Sequence, residues 1–277
     1  MSTSLTRGLY EALITQGLAS ELRAVAEQLD PLVSELRPAE AADRIALHLA
    51  RVIDRGLASV ADQRRVETGI RVARELVAQL GSLLDAIDPD TDTPADPGQV
   101  LLAIRAIRPD GRPEEIAPPL IPLLDTTILT NAPGEPRVGS QILAEIGSAD
   151  RIDLVMAFIR RSGIAPLADA LRRHCEAGRP FRVLTTAYTG STEHRALNLL
   201  RDLGAEVLVS YDTSTTRLHA KAWHFLRRSG HSTAYIGSSN LTHSAQVTGL
   251  EWNVRLSQAR NPDAVAKVAS AFEGHWE

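Results

Sequence analysis

The sequence predicts an α/β fold, a mixed sheet flanked by helices, preceded by an N-terminal α-helical region. Apolar residues early in the chain recur every three to five positions, which is the period of an amphipathic helix. From about residue 120, short apolar segments alternate with amphipathic ones, as is typical of an α/β sheet. An acidic, proline-rich segment separates the two patterns. We therefore predict two domains, at residues 1–110 and 111–277.

The N-terminal region reads as three helices followed by a loop. The helical pattern covers residues 5–29, 45–57 and 66–84, and Pro31 ends the first of these segments. Residues 85–99 hold five Asp and three Pro, so they are expected to form a mobile acidic loop rather than a core element. A short helix is predicted near residues 99–107.

The second part alternates strands and helices. Strands are predicted at residues 123–130, 151–159, 181–187, 205–210, 217–226, 232–237 and 249–257. Helices are predicted at residues 139–149, 163–178, 192–203 and 261–274, with Ser140 as the cap of the first. Residues 151–159 are almost continuously apolar, which indicates a strand buried on both faces.

Composition limits the class of protein. No apolar run approaches the roughly 18 residues of a membrane span, and the N-terminus lacks the pattern of a secretory signal. A single cysteine, Cys175, excludes an intrachain disulfide. We therefore expect a cytoplasmic protein with no membrane partner. The formal net charge is −4, and the acidic excess lies in residues 1–110, so a polyanion would bind the second part.

The chemically informative stretch begins with His219 and Lys221. Residues two apart on a strand face the same way, so these side chains project together, beside Arg217. An imidazole next to a fixed cation suits attack on a phosphate, because the cation neutralises the phosphate oxygens while the ring nitrogen approaches phosphorus.

A turn of small residues follows the next predicted strand. Its sequence is Gly237-Ser238-Ser239-Asn240, whose backbone amides, Ser238 hydroxyl and Asn240 amide are suited to an anion cradle. Ser239 and His243 are further candidates for substrate contact. Glu251, eleven residues after Asn240, is expected to accept a hydrogen bond from the second imidazole nitrogen and so fix the attacking tautomer.

These residues resemble the HKD motif of the phospholipase D superfamily, in particular its single-motif nuclease branch. The family pattern continues to an aspartate at the position that Leu226 occupies here. Residues 120–277 look like the phospholipase-D-like domain found ahead of bacterial DEAD/DEAH-box helicases, and residues 1–110 resemble the leader of those proteins. No Walker motif occurs in the sequence, so we expect no ATPase.

The resemblance implies a metal-independent nuclease without a cofactor, acting on DNA in repair or defence and linked to a helicase. His219 would attack phosphorus and form a phosphohistidine. Lys221 and Asn240 would hold the non-bridging oxygens, Ser238 would assist, and Glu251 would orient the histidine.

The chemistry also bears on assembly. The implied reaction needs two histidines in opposite protonation roles, yet the chain has one such motif. We therefore predict a homodimer with one active site shared by two chains, and with Trp223 and Trp252 in the interface core.

Two alternatives remain at this stage. Leu226 is compatible with a degenerate site, which would leave a DNA-binding or helicase-docking module. A phospholipid or small phosphodiester is another substrate class, although no basic amphipathic helix is present to hold the protein at a membrane.

Overall fold

The structure of the protein is a computed structural model. It describes residues 5–187, 190–211, 218–245 and 249–277. The chain divides into two compact units, Met1–Leu102 and Ala103–Glu277. No described helix combines the length and the apolar character that a membrane span requires.

The first unit is helical. Its helices are α1 (Gln16–Val25), α2 (Pro38–Ala58), α3 (Asp62–Leu83) and the short α4 (Pro89–Asp92). The first helix starts later than predicted because Thr15 caps it: the Thr15 hydroxyl accepts a hydrogen bond from the Leu18 amide at 3.2 Å. The acidic segment contains α4, which Asp88 caps through the amide of Asp90 at 3.1 Å.

The predicted helix near residues 99–107 is absent, which corrects the prediction. These residues lead into a turn in which the Arg108 amide donates to Arg112 and the Glu114 amide donates to Ala106, both at 2.8 Å. Gly111 occupies the left-handed region at φ 79°, as a tight reversal requires.

The second unit is an α/β domain. Its strands are β1 (Thr127–Leu129), β2 (Arg151–Met156), β3 (Phe181–Thr186), β4 (Glu206–Ser210), β5 (Lys221–Leu226), β6 (Thr233–Gly237) and β7 (Asn253–Ser257). Its helices are α5 (Val138–Ser148), α6 (Arg161–Ile164), α7 (Ala168–Glu176), α8 (His194–Asp202) and α9 (Pro262–Trp276). A 3₁₀ turn at Ala165–Leu167 separates α6 from α7, where one helix was predicted; it contains Pro166, which has no amide hydrogen to donate.

Ser140 does not cap α5, contrary to the prediction. The helix begins at Val138, whose amide donates to the side-chain oxygen of Asn131 at 2.8 Å. A side chain seven residues upstream therefore replaces the expected local cap.

Within the described residues, the strands form a seven-stranded sheet in the order β1-β7-β6-β5-β2-β3-β4. The β2, β3 and β4 strands are parallel, whereas β5, β6, β7 and β1 join by antiparallel pairing. The predicted α/β class, with a mixed sheet flanked by helices and a preceding helical region, is confirmed.

The main core covers one face of this sheet. Trp223 stacks between Phe181 and Phe225, with ring centroids 6.4 and 5.7 Å apart, and only 6% of Trp223 is exposed. The prediction that Trp223 lies in a dimer interface is therefore wrong, because the ring packs in the core of its own domain. On the opposite face, the guanidinium of Arg182 lies over the rings of Phe272 and Trp276 in α9.

A buried carboxylate joins α5 to the antiparallel half of the sheet. Glu145 is fully buried and accepts hydrogen bonds from Arg227, Thr233, Tyr235 and Arg255 at 2.5 to 2.9 Å. Burial opposes ionisation of Glu145, but the two guanidinium groups outweigh it and lower its pKa.

We predict that Glu145→Gln lowers the free energy of unfolding by about 3 kcal/mol or more, because it leaves two buried guanidinium groups without their counter-charge. A carboxylate whose pKa is lower in the folded than in the unfolded state stabilises the folded protein at any pH above the unfolded-state pKa. This stabilisation is lost as the pH falls through the folded-state pKa. The difference between parent and variant, measured by urea unfolding, should therefore shrink on acidification. Glu176→Gln, at an exposed position on α7, is the matched control. Equal stability of both variants would contradict the prediction.

Candidate active site

The candidate residues converge because of the sheet topology. They lie at the side of the sheet where β2 and β6 end and β5 and β7 begin, which we call the sheet edge. Lys221 begins β5 and pairs with Met156 at the end of β2. Gly237 ends β6 and pairs with Asn253 at the start of β7. The motif before β5, the turn after β6 and the residues before β7 therefore all lie where these strands meet the same edge.

His219 and Lys221 are close together, although the strand begins at Lys221, four residues later than predicted. The ammonium of Lys221 lies 3.2 Å from His219 Nδ1 and donates to the His219 carbonyl at 3.0 Å. His219 is exposed, and the ring of Phe158 packs edge-on against it at 5.7 Å between centroids. Arg217, predicted to lie beside them, is outside the described residues.

Lys221 is partly withdrawn from solvent. Its burial lowers the pKa of the ammonium from the usual lysine value, and the nearby charge of Glu251 opposes this shift. The cation is therefore a less strongly hydrated group than a surface lysine, which favours direct contact with an anion.

Ser238 and Glu251 form a second pair. The Ser238 hydroxyl donates to the Glu251 carboxylate and accepts from the Trp252 amide at 3.1 Å. The Ser238 amide donates to the Trp252 carbonyl at 3.0 Å. Glu251 was predicted to hold the His219 ring; among the described contacts its side-chain partner is Ser238 instead.

Asn240 is anchored by its neighbours in sequence. The Leu241 amide donates to Phe158 at 3.1 Å, and the Arg160 amide donates to Leu241 at 3.0 Å, in a parallel bridge between Ile159 and Leu241. The side-chain oxygen of Asn240 is buried and has no hydrogen-bond partner in the described part of the chain. The fold therefore positions Asn240 without using its side chain.

Two other residues of the turn, Ser239 and Gly237, make contacts within the fold. Ser239 is buried, and its hydroxyl accepts from the Asn253 amide group at 2.7 Å, so we assign it to the fold rather than to substrate. Gly237 lies so close to β7 that a Cβ there would overlap the Trp252 carbonyl oxygen. The backbone amide of Ser238, which was predicted to help bind an anion, already donates to the Trp252 carbonyl and is not available for that purpose.

The remaining histidines differ in position. His224 is buried on β5 with Nδ1 3.5 Å from the Asp153 carboxylate, which places it in the sheet and away from the edge. His243 is exposed three residues after Asn240, and His231 is exposed in the β5–β6 hairpin. Within the described residues, no group of His, Cys, Asp and Glu is arranged as a metal site.

Leu226 lies at the far end of β5, opposite Arg151. It is five steps along the strand from Lys221, a distance of roughly 16 Å. The departure from the family motif therefore removes no group from the site itself.

Phe158 and Arg160 were not predicted as site residues. Both follow β2 and reach the site through the bridge to Leu241. The apolar run at residues 151–159 indicated a strand, but which other strand its end would adjoin depends on the sheet order, which the sequence does not encode locally.

Comparison with known proteins finds a family model that matches part of the chain. Residues 142–276 match the family model described as "Cardiolipin synthase, PLD-like domain", and this range contains the whole candidate site. No curated protein sequence matches the chain. The structure is similar to NucT from Helicobacter pylori, at 13% identity over 54% of this chain and 94% of that one, with a TM-score of 0.43. It is also similar to Nuc, a phospholipase D family member from Salmonella typhimurium, at 17% identity over 55% and 95%, with a TM-score of 0.40.

We predict that Gly237→Ala destabilises the protein by about 1–3 kcal/mol, because the new methyl group would meet backbone atoms of β7 that cannot move independently. Gly274→Ala is the matched control: a Cβ in this position of α9 meets nothing within 4 Å, and alanine favours a helix by about 0.5–1 kcal/mol. Thermal unfolding followed by circular dichroism measures both. A Gly237→Ala protein as stable as the control would contradict the close approach.

Proposed function

We propose that the second unit is a phosphodiesterase of the phospholipase D type that cleaves DNA without a metal ion. The observation that carries the proposal is the convergence of His219, Lys221, Ser238, Asn240 and Glu251 at one edge of the sheet. The match of residues 142–276 to a PLD-like family model supports it.

In the proposed reaction, His219 Nε2 attacks phosphorus and the bond to the leaving oxygen breaks. Lys221 and Asn240 bind the non-bridging oxygens, whose negative charge grows as the reaction proceeds. A second histidine protonates the leaving oxygen and then takes a proton from the water that hydrolyses the phosphohistidine. The second half-reaction thus reverses the proton transfers of the first.

The contacts of His219 imply a change of partners before attack. An ammonium can only donate, so Nδ1 accepts from Lys221, and the proton of a neutral ring lies on Nε2. Attack through Nε2 requires that proton to move to Nδ1, where Glu251 is the acceptor of suitable charge. Phosphate binding would cause Nδ1 to exchange Lys221 for Glu251, because the phosphate competes with His219 for the Lys221 ammonium.

The second histidine is assigned to another copy of the chain. His224 is buried against Asp153 and does not face the edge, so it is not suited to protonate a leaving group. The exposed position of His219 is compatible with a two-fold arrangement in which two such residues face one phosphate. We therefore propose a homodimer with a shared site.

DNA is the proposed substrate on the strength of the resemblance to helicase-associated domains. The same resemblance leads us to propose that the chain works with a helicase, in cis or in trans, in DNA repair or defence.

The test of the activity is a trapped intermediate. We predict that 5′- and 3′-labelled DNA gives a covalent protein adduct under single turnover, quenched by detergent at alkaline pH because a phosphohistidine bond is acid-labile. His219→Ala should give no adduct and at least about 10³-fold less cleavage, yet retain most DNA affinity, since Lys221 and Asn240 still bind phosphate.

The assay is run in EDTA, where cleavage should persist. An absolute requirement for a divalent ion would overturn the histidine mechanism. DNA binding without cleavage or adduct by the parent protein would instead identify a binding module.

A mixing experiment tests the shared site. Parent chains titrated with His219→Ala chains, after exchange of subunits, should lose activity faster than dilution predicts, because each mixed dimer lacks one of two histidines. Sedimentation gives the oligomeric state at the assay concentration. A monomer that cleaves DNA would contradict the shared site and make His243 the candidate acid.

A further inference from the structure

Two exposed features flank the candidate site. On the β2 side, Arg160 and Arg161 follow the end of the strand, and the Arg160 amide bonds to the residue that follows Asn240. Both side chains are exposed, and in the described part of the chain neither guanidinium has a hydrogen bond or ion pair. An arginine pair is thus held next to a proposed phosphate contact with its charge unused.

Other arginines of this unit are used by the fold. Arg182 bonds Asp153 and Glu273, and Arg227 and Arg255 bond the buried Glu145. The charges at Arg160 and Arg161 are therefore available to bind an anion. The proposed substrate carries several phosphate groups at this place.

On the β7 side stands Trp252, which is 70% exposed, whereas Trp223 is buried and Trp276 is half-buried. Tryptophan is usually a largely buried residue, so an indole in water next to a site is informative. Its main chain is fixed, because both its amide and its carbonyl bond to Ser238. The backbone of Trp252 is thus held next to the site, and its indole is accessible from solvent.

The exposed indole suits a base rather than a phosphate, because it offers an aromatic face and no charge. Asn253 contacts Ser239 in the interior, whereas the indole of the preceding residue, Trp252, lies in solvent. A phosphate bound at the edge would leave the adjacent base free to fold over that edge onto the ring. Stacking on an aromatic side chain is the common way in which proteins hold unpaired bases.

We propose that the site binds single-stranded nucleic acid along the sheet edge, with Arg160 and Arg161 on a phosphate at one side of His219 and Trp252 stacked on a base at the other. This rests on the proposed function for the identity of the ligand. A duplex fits less well, because each of its bases already stacks on both faces and must be unstacked to meet the indole.

Binding is measured in the His219→Ala background, so that no turnover interferes, with an oligothymidylate and with a duplex of equal length. Trp252→Ala should weaken single-strand binding about tenfold or more, and Trp252→Phe should restore most of it, since phenylalanine still stacks. Oligonucleotide should quench the tryptophan fluorescence of the parent, and Trp252→Phe should abolish that change. Trp276→Phe is the matched control and should keep both the affinity and the quench.

The arginine pair is tested by salt dependence. Arg160→Gln combined with Arg161→Gln should make the plot of log affinity against log salt less steep by about 0.7 for each phosphate that the pair neutralises in the parent. Arg172→Gln with Arg173→Gln is the matched control: these residues are also adjacent and exposed, but lie on α7, which leads into the start of β3 at the other end of the sheet.

The outcomes are separable from those of the activity test. Trp252-dependent binding without any cleavage would overturn the nuclease proposal and support the binding track. Cleavage with unchanged single-strand affinity in Trp252→Ala, or duplex binding as tight as single-strand binding, would overturn the track. Dissociation of dimers by Trp252→Ala, with oligonucleotide affinity unchanged, would show that a second copy occupies the indole instead.

Discussion

The carboxylate of Glu145 holds together the half of the sheet from which the candidate site projects. It receives hydrogen bonds from β6, from β7 and from Arg227 just after β5, so three strands share one buried acceptor. Arg255 also donates to carbonyls of Ile121, Pro122 and Asp125, which fixes the segment that leads into β1. Because a buried ion pair costs much desolvation, its value here lies in defining one register for strands whose ends carry the chemistry.

That register explains how distant residues meet. Since β5 runs antiparallel to β2, it begins where β2 ends, and the same edge receives the end of β6 and the start of β7. A motif before one strand, a turn after the next and a carboxylate before a third are thereby assembled without a long loop. On the same edge, the end of β2 brings Phe158 against His219 and Arg160 against Leu241.

The sequence pattern predicted the strands of the second unit because their apolar runs are short and bounded by polar turns. It overestimated their lengths: the strand predicted from residue 217 begins at Lys221, so His219 lies before the paired residues. Alternation puts Trp223 on the same face as Phe225, but whether that face is covered depends on α5 and its neighbours, which no local pattern encodes. The same limit hid the cap of α5, because Asn131 is remote in sequence from the first turn.

The site keeps its charged groups in separate pairs, Lys221 with His219 and Ser238 with Glu251. On the proposed mechanism, a phosphate would draw Lys221 from the imidazole, and the freed Nδ1 would then need Glu251 as acceptor. Substrate binding and activation of the nucleophile are in that case one event, which protects an exposed histidine from unproductive reaction. All of these exchanges lie within the strand-end segments, so Leu226, at the other end of β5, has no part in them. The leucine that stands here in place of the aspartate of the HKD motif thus lies at the end of β5 away from the chemistry.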